Sequence, residues 1–80
     1  MENQSLLSRI TVNPKLMLGK PVIRGFRITV EQILKALANG VPIADLLQDY
    51  PELEFEDIQA AIAYAADLVA QERVYSLEVA

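Results

Sequence analysis

The twelve residues from Gly19 to Val30, Gly19-Lys20-Pro21-Val22-Ile23-Arg24-Gly25-Phe26-Arg27-Ile28-Thr29-Val30, constrain this fold more than any other stretch. They hold two glycines, a proline and three of the seven basic residues. Glycine permits positive φ and close backbone approach, whereas proline fixes φ and withholds a hydrogen-bond donor. The segment therefore predicts a tight β element with a basic tip, placed just ahead of three helical segments.

At 80 residues the chain makes one domain. A domain of this size buries only about 60% of its unfolded surface. It has no cysteine, so neither a disulfide nor a thiolate-metal site can compensate. It has no histidine either, which removes the commonest general base and metal ligand. What remains is a dense apolar core, consistent with a 52% hydrophobic composition, or oligomerisation to bury more surface. No apolar run approaches the ~18 residues that span a bilayer, and residues 1–9 lack a signal-peptide pattern. A cytoplasmic location is expected.

The net charge of −4 conceals an asymmetry. Residues 1–40 carry six bases against two acids, and residues 41–80 carry one base against nine acids. Such a split fits two surfaces with different partners, or two halves that attract each other within a monomer or across a dimer.

Local patterns set the elements. Residues 1–9 read as a flexible N-terminus. Ile10-Thr11-Val12 is β-branched and predicts a short strand, broken by Asn13-Pro14. Val22-Ile23 and Arg27-Ile28 are further candidate strands around Arg24-Gly25-Phe26, so residues 10–29 form the β element. Thr29 and Gln32 match a capping box, and Val30, Ile33, Leu34 and Leu37 line one face of a helix over 30–39. Asn39-Gly40 ends it. Pro42 starts a second helix over 42–50, with Ile43, Leu46, Leu47 and Tyr50 on one face, and Pro51 stops it. A third helix over 54–73 opens with the acids Glu56 and Asp57, as the helix dipole favours. Its apolar stripe is Phe55, Ile58, Ile62, Ala65 and Val69, widened by Ala61, Tyr64 and Leu68. That width exceeds what two short helices cover. Ile62, Ala65, Ala66 and Val69 are accordingly the candidate interface, most simply with a second copy of the chain. The single domain runs over 10–76. Val74 to Val79 alternates like an arm or edge strand, and 77–80 is a tail.

The expected fold is mainly α: a small N-terminal β element followed by a three-helix, homeodomain-like bundle. The second and third helices, joined at Pro51-Glu52-Leu53-Glu54, match the helix-turn-helix order, with Leu53 as a buried plug. A recognition helix normally offers Arg, Lys, Asn or Gln to DNA. This one offers Glu54, Glu56, Asp57, Gln59 and Asp67. Any nucleic-acid contact therefore falls to the basic half, with Lys20, Arg24 and Arg27 as candidates. The competing reading pairs Arg24 or Arg27 with Glu31, Glu56 or Asp57. Glu52, Glu54, Glu56 and Asp57 lack the spacing and glycine of a calcium loop. Ser and Thr hydroxyls have no histidine to activate them. No enzymatic activity, metal or cofactor is expected.

Ile10 with Asn13-Pro14, the Gly19–Val30 run, Ile33-Leu34, Leu37-Ala38-Asn39-Gly40, Tyr50-Pro51-Glu52-Leu53, Asp57-Ile58 and Ala60–Ala66 together resemble domain-of-unknown-function family 433. The resemblance covers about residues 10–76. The family's usual threonine after Arg24-Gly25 is Phe26 here, and its small polar helix starters are Pro42 and Glu54. Members are described as VapB-like antitoxins with a homeodomain-like fold. The resemblance implies a regulatory antitoxin that neutralises a PIN-like toxin ribonuclease and binds operator DNA, and the wide apolar face of the third helix adds a dimer to that expectation. The alternative drawn from the residues is a protein–protein or dimerisation module without nucleic-acid binding.

Overall fold

The computed structural model describes residues 2–71. Its elements are α1 (Glu2–Leu7), β1 (Ile10–Thr11), β2 (Val22–Ile23), α2 (Val30–Ala38), α3 (Ile43–Asp49) and α4 (Phe55–Gln71). The chain is mainly helical with one small antiparallel sheet. Positions 72–73 of the expected third helix, and the arm and tail expected over 74–80, lie outside the described residues.

In the sheet Ile10 pairs with Ile23 and Thr11 with Val22. A single bridge joins Val22 to Thr29, and the Ile23 N–H donates to the Ile28 carbonyl at 3.0 Å. The strand expected at Arg27-Ile28 thus shrinks to one bridge displaced toward the helix. Between these segments the chain reverses through Arg24 (φ +46°) and Gly25 (φ +76°), and the Phe26 N–H donates to the Ile23 carbonyl at 2.7 Å. Two successive positive φ angles suit the right-handed twist of the paired strands. Gly25 adopts its angle freely, but Arg24 carries a Cβ and does not.

Asn13 shapes the loop before β2. Its Oδ1 accepts from the Lys15 N–H at 2.9 Å, as asparagine does in turns. Met17, Leu18 and Gly19 then follow one another in the left-handed region, with φ of +51°, +59° and +79°. Each non-glycine residue there costs on the order of 1 kcal/mol. Leu18 is 94% exposed, so its side chain recovers little of that cost within the chain.

The helix boundaries follow their local chemistry. The Gln32 N–H donates to Thr29 Oγ1 at 3.0 Å, and the Thr29 N–H donates to Gln32 Oε1 at 2.9 Å, completing the expected capping box. At the other end of α2 the Val41 N–H donates to the Ala36 carbonyl and the Gly40 N–H to the Leu37 carbonyl, both at 3.0 Å. This is a Schellman stop, with Gly40 at φ +86°. Pro42 is the N-cap of α3 with an extended ψ, one position before the first helical residue, and its carbonyl accepts from the Leu46 N–H at 3.2 Å.

Two features depart from the expected arrangement. The segment expected to be flexible over 1–9 contains α1, which packs against α4 and adds a fourth helix. The inward face of α4 is also rotated. Asp57, Ile58, Ala60 and Ala61 are its buried residues, whereas Phe55, Ile62, Leu68 and Val69 remain exposed. At 17 residues α4 is about 25 Å long, while the seven-residue α3 spans about 10 Å. It is therefore longer than α3, and its C-terminal half is flanked by α1 on one side and α2 on another. The core gathers Ile23, Ile28, Val30, Ile33, Leu46, Leu53, Ile58 and Ala61, with Leu53 as the expected plug.

Candidate functional site

The charged residues of the β element meet the start of α4 around one carboxylate. Asp57 is fully buried and faces four donors. Arg24 Nη2 donates to Oδ2 at 2.8 Å and Arg24 Nε to Oδ1 at 3.0 Å, a two-pronged contact that guanidinium geometry permits. Arg9 Nη1 donates to Oδ1 at 2.9 Å, and the Glu54 backbone N–H donates to Oδ2 at 2.8 Å. The last contact is half of a capping box, satisfying an orphan donor at the start of α4.

Burial by itself pushes the Asp57 carboxyl up. The hydrogen bonds from Arg24, the Glu54 N–H and Arg9 outweigh it, leaving the group below its ordinary value. Arg24 Nη2 also donates to the Glu52 carbonyl at 2.9 Å, and its guanidinium lies 4.9 Å from the Phe26 ring centroid. These contacts explain how a non-glycine residue is retained at φ +46°. Arg9 makes a further ion pair with Glu54 at 2.9 Å.

Lys20 is also engaged. Its Nζ lies 2.7 Å from Glu31 Oε1, and Lys35 Nζ lies 3.0 Å from Glu31 Oε2. Lys20 above all, and Lys35 with it, hold the Glu31 carboxyl down at about 2. Of the three candidate nucleic-acid contacts, Lys20 and Arg24 therefore serve intramolecular ion pairs. Arg27 is exposed and makes no ion pair among the described residues. The Arg24–Asp57 pair is one of the pairings anticipated from sequence. Arg9 as its second arm was not anticipated, and nothing in the local pattern around Arg9 signals it. The signal for Asp57 was its place three residues after Glu54, where a side chain can reach back to cap the helix.

The interface candidates lie on the middle and C-terminal part of α4. Ile62 and Val69 are 46% and 66% exposed, Ala66 is exposed and Ala65 half-buried. Ile62 and Ala66 share a groove of about 550 Å³ with Leu6 of α1 and with Gln59 and Asp67. A second groove of about 410 Å³ opens between α2 and α4, over Val30, Leu34, Ala38, Tyr64 and Leu68. Around the α3–α4 turn, Asp45, Asp49, Glu52 and Glu56 are exposed and unpaired among the described residues. The α3–α4 face is thus acidic, and much of the basic charge of the first half is already spent in ion pairs. No helix among the described residues is long and apolar enough to cross a membrane.

The chain is similar to known proteins. An uncharacterized protein of Sinorhizobium fredii, y4eO, is 34% identical over 56 residues, which are 70% of this chain. The match covers only 25% of that relative's length. The crystal structure of a DUF433 member from Anabaena variabilis superposes with a TM-score of 0.74 at 34% identity, covering 85% of this chain and 67% of that one. Residues 10–65 match the family described as "Protein of unknown function (DUF433)". That span holds the paired strands, the Arg24 turn, α2, α3 and the buried start of α4, and the chain belongs to the DUF433 family.

Proposed function

We propose that the chain is an antitoxin-like regulatory protein that acts by protein–protein contact, with the exposed face of α4 as its partner-binding element. The observation that carries this reading is the exposure of Ile62, Ala66 and Val69 along a helix whose other face is core. Exposed apolar residues grouped on one rigid element mark interaction sites. The partner is a PIN-like toxin ribonuclease, in keeping with the resemblance of the Gly19–Val30 run. The acidic start of α4, with Glu52, Glu54 and Glu56, complements a nuclease groove built to hold phosphates.

Pull-down with tagged chain from a lysate of its source should recover a PIN-like ribonuclease in stoichiometric amount. An Ile62→Asp/Val69→Asp double variant should lose it. A recovery without such a nuclease, or equal recovery by the double variant, would sink the reading.

Operator binding is the second reading. It takes α2, α3 and α4 as a homeodomain-like unit and rests on their order and on the short turn at 50–54. Among the described residues, Arg27 and Lys15 are the bases left for phosphate, since Arg9, Lys20, Arg24 and Lys35 are paired. Two phosphate contacts would give a shallow dependence of affinity on salt. An Arg27→Ala variant that binds operator DNA as tightly as the parent would remove this site.

A further inference from the structure

We infer that the chain forms a twofold dimer in which Leu18 of each copy enters the α2–α4 groove of the other. The inference concerns self-association at a surface separate from the exposed Ile62–Val69 face of α4, which it leaves free for the partner proposed above. Leu18 is the most exposed large apolar side chain among the described residues, at 94%. It stands in a run of three left-handed residues, two of which carry a Cβ. Strain of this kind persists where the surroundings fix it and is concentrated at functional contacts. The turn is closed by the Gly19 N–H donating to the Leu16 carbonyl at 3.0 Å and the Lys20 N–H to the Met17 carbonyl at 3.1 Å. Leu18 is thus a knob presented on a closed turn.

The matching hole lies close by. Met17 shares a depression with Lys20, Glu31 and Lys35, and Glu31 and Lys35 also form the edge of the α2–α4 groove. Knob and groove flank the same ridge of charged residues. The floor of the groove is apolar, formed by Val30, Leu34, Tyr64 and Leu68. A twofold contact must be self-complementary, with each copy offering what the other requires. This patch holds a knob, a hole and both signs of charge. Lys20 and Lys35 are already paired with Glu31, so bringing two such ridges together does not strand an isolated carboxylate.

Light scattering coupled to size exclusion tests the arrangement with three proteins at about 100 µM, a hundredfold above a micromolar Kd. The parent chain should run at twice its 8.9 kDa mass. Leu18→Asp, which spoils the knob, and Ala38→Glu, which places a carboxylate in the groove from an exposed helical position, should each run as monomers. Circular dichroism melts of both variants check that they are folded. A monomeric parent, a dimeric Leu18→Asp chain or a dimeric Ala38→Glu chain would each overturn the inference. Dimerisation lost in Ile62→Asp/Val69→Asp but kept in Leu18→Asp would assign self-association to the α4 face instead. Loss of nuclease recovery by that double variant, with its dimer intact, bears on the partner reading alone.

Discussion

Asp57 shows how one carboxylate organises three segments of this chain. Its oxygens join Arg9 before β1, Arg24 in the β turn and the Glu54 N–H before α4. Removing one member of a buried charged cluster is costly because its partners remain. Arg9 and Arg24 keep 27% and 33% of their side-chain surface, so water reclaims part of the loss. Asp57→Asn should therefore cost about 2–3 kcal/mol in urea unfolding. The carboxyl titrates below its ordinary value in the folded chain. Its contribution is therefore fully present above the unfolded pKa of about 3.9 and is lost as pH falls through the lower folded value. The parent should lose stability below about pH 4 more steeply than Asp57→Asn, as read by urea midpoints at stepped pH. Arg24→Lys should also destabilise, since an ammonium cannot make the two-pronged contact, donate to the Glu52 carbonyl and stack on Phe26 together.

At the scale of elements, the boundaries that local chemistry dictates were legible in the sequence. Thr29 with Gln32, Gly40 after Asn39, and Leu53 between two helices each carry their signal within a few residues, and each acts as expected. Thr29→Ala should cost about 1 kcal/mol by removing the cap of α2. Gly40→Ala should destabilise by a similar amount, about 1 kcal/mol, because alanine resists φ +86°. Thermal melts of both variants check these values. The elements that were not legible depend on distant partners. A six-residue helix such as α1 cannot sustain itself and forms by packing on α4. The rotation of α4 follows from burying Asp57, whose reason lies 48 positions away at Arg9. An apolar stripe counted along one helix assigns carboxylates outward by default and so misplaces the face. The left-handed run at Met17–Leu18 carries no proline and only Gly19 at its end, so composition gave no warning of it.

Across the whole molecule, charge segregation along the sequence becomes partial neutralisation in space. Arg9, Arg24, Lys20 and Lys35 of the first half pair with Asp57, Glu54 and Glu31, while Asp45, Asp49, Glu52 and Glu56 stay outside. The mutual attraction of the halves read from the sequence therefore operates at Asp57 and Glu54, and a second, acidic surface is left over. High salt should barely change stability, because the Asp57 contacts are sheltered and the Glu31 pairs are exposed and contribute little. Denaturant midpoints at low and high sodium chloride should differ little, and a large drop would show that exposed pairs matter more than their geometry allows. The Asp57 contacts also impose an order on biosynthesis. Contacts from Arg24 and Arg9 to Asp57 close loops of 33 and 48 residues, whereas α2, α3 and α4 follow one another through short turns. As the chain leaves the ribosome N-terminus first, both arginines emerge into solution before the acid they pair with. The strained Arg24 turn has no anchor until α4 begins to emerge, so the most geometrically demanding part of the early sequence is among the last to be secured.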